Sequence, residues 1–124
     1  DEANLQLTMI DWLGNPYTDL GNTIIELVDY GTSLTSVDFN TSAIANCGVL
    51  SSSTGMLVNR SLNVTAELQS YINSGAGNAY RPQFRLRHAT LTDNDNSYDE
   101  TEWVSSEYSY SEYRPQLKIT YTIK

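Results

Sequence analysis

Apolar and polar residues alternate strictly in several short segments of this chain. In the segment NLQLTM, polar residues separate Leu5, Leu7 and Met9. The segment QLKITYTIK has the same period, with an apolar row made of Leu117, Ile119, Tyr121 and Ile123. A period of two is typical of a β-strand with one buried face. Both segments are therefore predicted to be strands.

Further strands are predicted at TIIELVDYG, MLVNRSLNVT and PQFRLRHA. The last of these places Phe84, Leu86 and His88 on one face and two arginines, Arg85 and Arg87, on the other. The segment 32–54 is rich in Ser, Thr and Asn and reads as a long irregular connection with one or two short strands, at SVDF and CGVL.

One segment, TAELQSYINSG, has the signals of a short helix. Thr65 is predicted to cap its start, Leu68 and Ile72 form an apolar i, i+4 pair, and Gly75 ends it. Several strands, one short helix and turn-rich connections predict an all-β fold, an antiparallel jelly-roll β-sandwich. The 124 residues suit a single domain, 1–124.

Composition narrows the classes of partner. The net charge of -8 disfavours nucleic-acid binding, and no apolar run approaches 18 residues, so membrane insertion is not expected. The lone Cys47 excludes an internal disulfide and is predicted to be a buried apolar residue.

The chain begins DEANLQ without an initiator Met or a signal peptide, which suggests a processed mature form or a trimmed fragment. Sequons place candidate N-glycosylation sites at Asn40, Asn59 and Asn63. These features predict an exported protein, located outside the cell or at the cell surface.

A resemblance covers most of the chain and is strongest in its second half. LNVTAELQSYINSGAGN, then FRLRHA, SSE and YRPQLKITYT follow one another in an order similar to the C-terminal part of the DNRLRE family of extracellular jelly-roll modules. That family includes disaggregatase-related domains and carbohydrate-binding modules. Asn63 stands where the family usually has Asp, and ANLQLTMID is similar to an early family strand.

The resemblance implies that two or three opening strands precede ANLQLTMID in family members. Either the segment 32–54 replaces them, or the chain is a piece of something larger, or another subunit supplies a strand. Within the closing motif, Pro115 starts the strand where no backbone donor is needed. Arg114 is predicted to form a structural ion pair with an acid such as Glu107 or Glu112, with Glu107 the preferred partner.

Catalysis has little support in the sequence, and we expect no enzyme activity. The single histidine, His88, lies on an apolar strand face, where a structural role is expected. Asp99 and Glu102 offer a carboxylate pair for glycoside hydrolysis, but their turn-rich segment favours a solvated loop.

Oxygen ligands alternate in the acidic segment DNDNSYDE, at Asp93, Asp95, Ser97 and Asp99. This spacing resembles the start of a Ca²⁺ loop, so Ca²⁺ is a candidate cofactor. The pattern departs from an EF-hand at Tyr98 and Val104, and a solvated acidic hairpin tip is the alternative.

Aromatic residues recur in WVSSEYSYSEY, at Trp103, Tyr108, Tyr110 and Tyr113. In a strand, several would share a face and either stack on sugar rings or bury against another chain.

Two functions therefore stay open. The first is a non-catalytic extracellular subunit that self-assembles with copies of itself into a filament, tube or surface layer. Either DEANLQLTMID or the closing strand would then pair with a neighbour, with Ca²⁺ at the contact. The alternative is a carbohydrate-binding module of a secreted polysaccharide-active enzyme or adhesin, with a polysaccharide as partner.

Overall fold

The computed structural model describes residues 1–75 and 81–123. Their strands are β1 (Glu2–Leu13), β2 (Thr23–Val28), β3 (Ala45–Ser51), β4 (Val58–Asn63), β5 (Gln83–His88), β6 (Glu100–Trp103) and β7 (Gln116–Thr120). Two helices, α1 (Pro16–Asp19) and α2 (Thr65–Ser74), and two 3-10 turns, Ser36–Asn40 and Ser111–Tyr113, complete the described elements.

The first sheet is built around β1. Antiparallel β4 pairs with one side of β1, while β7 and β6 share the other side, β7 along residues 2–6 and β6 along residues 9–13. The register with β6 shifts between Met9 and Asp11. Because β1 is central and carries the buried Ala3, Leu5 and Met9, residues 1–11 belong to their own sheet. Both sides of β1 are thus occupied within the chain, and pairing with a neighbour is considered below for the closing strand.

The second sheet has the order β3-β2-β5, again antiparallel. It packs on the first sheet through a core made of Ala3, Leu5, Ile25, Leu27, Cys47, Leu50, Val64, Leu68 and Tyr71. The all-β sandwich is thus confirmed, and Cys47 is buried as expected. Burial raises the pKa of its thiol to about 11, which keeps the sulfur protonated and unreactive.

Helix α2 covers one end of this core with Leu68 and Tyr71. It ends at Gly75, whose φ of 63° is the left-handed conformation that glycine tolerates. Thr65 is the first helical residue, and its hydroxyl oxygen accepts a 2.8 Å hydrogen bond from the backbone N–H of Ala3. Thr65 therefore links the helix to β1, and the cap that was predicted for it does not form.

Several local predictions are corrected by the structure. CGVL lies in β3, but SVDF forms a 3-10 turn. VSSEYSYSEY consists largely of turns, and a strand that was not predicted, β6, begins at the last residue of the acidic segment DNDNSYDE. Among the described residues, no helix is both long and apolar enough to cross a membrane.

Candidate functional site

Among the residues that the structure describes, one side of the sandwich is left open. Contacts between β3 and β4 close the opposite side. On the open side, β5 and β6 are joined near one end by a 3.1 Å hydrogen bond between His88 Nε2 and Thr101 Oγ1. Several partly buried side chains that pack against the core lie on strands of this side, namely Phe84, Leu86, Trp103 and Leu117, while Ala45 and Leu62 are partly buried on the opposite side. Among residues 1–75 and 81–123, β5 and β7 each pair with a single strand, so each has a free edge.

The outward-facing backbone groups of β7 follow from the register. The N–H and C=O of Ala3 point towards Thr65 and Val64, away from β7. Because successive residues of a strand face opposite edges, Ala3 and its β7 partner Ile119 form a pair without mutual hydrogen bonds. The N–H and C=O groups of Leu117 and Ile119 therefore point outward, where another strand can bind them.

The apolar row of β7 continues past the end of its pairing with β1. Ile119, Tyr121 and Ile123 are 57%, 69% and 84% exposed. The backbone stays close to β1 here, since Thr122 N–H donates to Asp1 Oδ1 at 2.9 Å. An apolar pocket of about 250 Å³ lies between this row and α2, with walls formed by Ala3, Leu68, Ile72, Ile119 and Tyr121 among others. We call β7 with residues 121–123 the β7 edge.

A second exposed apolar surface lies on the 3-10 turn before β3. Leu34, Val37 and Phe39 are all largely exposed, and we call them the Phe39 surface. The turn is ordered by Asp38, whose carboxylate accepts hydrogen bonds from the backbone N–H and the hydroxyl of Thr35. The Phe39 surface is thus held in a defined conformation.

A buried ion-pair network anchors the Phe39 surface to the second sheet. Glu26 is 5% exposed, and it accepts hydrogen bonds from Arg85 at 2.6 Å and Arg87 at 2.8 Å. Arg85 Nη1 also donates to the carbonyls of Phe39 and Thr41. The arginines, above all through the Arg87 hydrogen bond, hold the pKa of the Glu26 carboxyl below its usual value, although burial opposes this effect.

The acidic segment forms a cluster that differs from the predicted one. Carboxylate oxygens of Asp93 and Asp99 lie within 4.8 Å of each other and of Asp19, which sits in α1. Asp95 instead accepts hydrogen bonds from the N–H and hydroxyl of Ser97. The predicted set Asp93, Asp95, Ser97 and Asp99 is therefore only partly brought together, and Asp19 was missed because PYTD carries no ligand spacing.

Asp19 responds electrostatically to this arrangement. Desolvation raises the pKa of its carboxyl, and the nearby Asp99, Asp93 and Asp95 raise it further. Asp99 is held in place by the backbone N–H of Asn15 at 2.6 Å. A cation would relieve this repulsion, because three carboxylates are hard oxygen ligands.

Three of the four predicted aromatic residues meet. The rings of Tyr108, Tyr110 and Tyr113 have centroids 6.1 to 6.4 Å apart, with interplanar angles of 57° to 83°. Trp103 packs instead against the core. The neighbouring Arg114 donates from Nε to the Tyr108 carbonyl at 2.7 Å, and among the described residues it has no ion pair with Glu107 within 4.0 Å.

The three sequon asparagines are exposed but differ in their contacts. Asn40 ends the 3-10 turn, whereas Asn59 and Asn63 lie on β4. Asn59 bonds to the Thr8 hydroxyl, and the Asn63 amide nitrogen donates to Glu2 at 3.3 Å.

His88 takes part in a hydrogen-bonded chain between the sheets. Its Nδ1 lies 2.9 Å from the Gly21 carbonyl, which only accepts, so in the neutral ring Nδ1 is the nitrogen that donates and Nε2 accepts from the Thr101 hydroxyl. Trp103 Nε1 in turn donates to Thr101 at 3.0 Å. Both ring nitrogens are therefore engaged in hydrogen bonds.

Comparisons with protein-family models, with curated proteins and with solved structures find no match to this chain. The resemblance to the DNRLRE family stays a prediction.

Proposed function

We propose that the protein is a non-catalytic structural subunit that self-assembles with copies of itself, outside the cell, into a filament, tube or surface layer. The observation that carries this proposal is the open side of the sandwich, where both sheets, as far as residues 1–75 and 81–123 are concerned, stop at a free strand edge beside half-buried core residues. Free edges readily accept another strand, and natural monomers usually protect them. A neighbouring copy protects them here.

A polymer needs more than one contact per subunit, and the chain has two separate apolar surfaces. The β7 edge lies on the open side, and the Phe39 surface lies on the outer face of the second sheet. Contacts that do not close on themselves extend into filaments or layers. The ordered 3-10 turn supports this role, because a preordered surface loses little entropy on binding.

Negative-stain electron microscopy and light scattering of the purified protein test the proposal. We expect regular polymers from the wild type and only small oligomers from Val37→Glu, which places a charge on the Phe39 surface. Met56→Glu is the matched control, since Met56 is 66% exposed, against 74% for Val37, and lies in the loop between β3 and β4. A wild type that stays monomeric at all concentrations refutes self-assembly.

Carbohydrate binding is the second candidate, favoured by the tyrosine cluster with its exposed Tyr110. An exposed ring offers an apolar face and a hydroxyl to a sugar. Both proteins are tested for binding to an array of soluble polysaccharides. Binding by the wild type that is lost in Tyr110→Ala supports this function. Equal binding by both proteins excludes the tyrosine cluster as the binding site.

A further inference from the structure

We infer that β7 of a second copy pairs antiparallel with the β7 edge, about a two-fold axis at Ile119. This inference rests on the proposed self-assembly and names its first contact. The outward N–H and C=O groups of Leu117 and Ile119, followed by Tyr121 in the same phase, supply the hydrogen-bonding groups.

The register follows from Pro115. With Ile119 opposite the partner's Ile119, Leu117 faces the partner's Tyr121, and about six backbone hydrogen bonds form between the copies. Moving the axis to Leu117 places Pro115, which has no N–H, opposite the partner's Ile119 and removes donors. The axis at Ile119 therefore uses all three outward residues.

The side chains agree with this register on both faces. On the inner face, the exposed Ile119 lies opposite the partner's Ile119, and the exposed Tyr121 lies opposite the partner's Leu117. Apolar pairs of this kind stabilise two antiparallel strands. The dyad also brings the partner's β5 towards this chain's β5. The half-buried Phe84 and Leu86 of both copies then lie on one shared side.

Charge favours a second copy as the occupant. On the outer face, Glu2 pairs with Thr120, and in the dimer Thr120 faces the partner's Lys118. The short side chain of Thr120 lies between Glu2 and the partner's Lys118, so the two charged side chains can reach each other across it. The two-fold axis forms this ion pair twice. Residues 113–123 contain no Asp or Glu, whereas the whole chain carries -8, so repulsion between copies is lowest here.

Disulfide cross-linking tests the register in the full chain. Opposed residues of an antiparallel pair are about 5.5 Å apart at Cα, so Ile119→Cys is expected to oxidise to a covalent dimer. Lys118→Cys is the control, because residue 118 faces the partner's Thr120, and the two copies of residue 118 lie diagonally on the outer face, about 7–8 Å apart at Cα. We expect at least about tenfold slower linking for Lys118→Cys. The native Cys47 is buried and does not interfere.

Equal linking of both variants, or linking of neither, overturns the inference. Regular polymers without an Ile119→Cys link leave the proposed function standing and refute only this contact. A specific Ile119→Cys dimer without polymers supports this contact and refutes the proposed function. Amide exchange in the wild type gives a readout without substitution: the N–H groups of Leu117 and Ile119 become protected on association, and unchanged exchange contradicts the pairing.

Discussion

Glu26 is a single carboxylate shared by two arginines on the outer face of the second sheet. Its position was visible in the sequence as one charged residue within the apolar segment TIIELV, but the sequence did not show its purpose. The structure shows that Arg85 uses the rest of its guanidinium to bind the carbonyls of Phe39 and Thr41. Glu26 thereby helps, through Arg85, to hold the turn that carries Phe39.

Removing this carboxylate leaves two largely buried cations without a counter-ion. Glu26→Gln is expected to lower the free energy of unfolding by about 3 kcal/mol at pH 7, because a buried pair is broken from one side. Urea denaturation measures this change, and Glu102→Gln, on an exposed carboxylate of β6, is the control. Equal stability of the two variants contradicts the structural role of Glu26.

The pH dependence has a definite sign. The pKa of Glu26 is lowered on folding, so its stabilisation is complete above the ordinary value of 4.5 and is lost as the pH falls through the lowered value. The stability difference between wild type and Glu26→Gln is therefore expected to shrink from pH 7 to pH 3. A difference that stays constant over this range disagrees with the lowered pKa.

Calcium distinguishes the two candidate ligand sets. If Ca²⁺ binds where the three carboxylates meet, it raises the melting temperature by about 4 °C at ten times its dissociation constant. Asp19→Asn is expected to abolish this shift, and Asp95→Asn to preserve it, because Asp95 is engaged with Ser97. If Asp95→Asn abolishes the shift and Asp19→Asn preserves it, the ligand set predicted from the sequence is favoured. If millimolar calcium does not shift the melting temperature of the wild type, calcium is excluded as a ligand.

At the scale of elements, Thr65 joins α2 to β1. Thr65→Ala leaves the Ala3 N–H without its acceptor and is expected to cost about 1–2 kcal/mol of unfolding free energy. Thr65→Ser keeps the hydroxyl and is expected to lie close to wild type. Thermal unfolding of both variants checks this, and equal losses point to the methyl group instead of the hydrogen bond.

The sequence predicted elements whose apolar and polar side chains alternate. β1, β5 and β7 alternate in this way, so their pattern identified them. β6 was missed because it is short and its residues Glu100 and Glu102 point to solvent, as loop residues do. The tyrosine segment failed for the opposite reason, since its spacing suited a strand but its residues lie in turns. Local pattern does not report which backbone hydrogen bonds are made.

At the scale of the whole molecule, the net charge of -8 opposes association of identical copies. Raising NaCl from about 20 to 200 mM is therefore expected to promote assembly, because the Debye length falls below about 10 Å. Sedimentation of the wild type at matched concentrations measures this. Dissociation by salt would instead show that ion pairs between copies dominate the contact.

Much of the candidate site depends on distances along the chain that no local pattern contains. Asp19 meets Asp93 and Asp99 only because α1 and the acidic segment lie at one end of the sandwich. The open side likewise follows from which strands are neighbours. The exposed row of β7 was predictable, but its overhang beyond β1 was not.

The chain from Trp103 through Thr101 and His88 to Gly21 runs in one direction, with each group donating to the next. The protein has one histidine, so its Nδ1 proton gives one assignable resonance in an NMR spectrum. The hydrogen bond from the Thr101 hydroxyl to Nε2 of the same ring joins the two layers, so the resonances of this ring change if the layers separate. The molecule thus contains a built-in spectroscopic gauge of whether its layers separate when a neighbour binds.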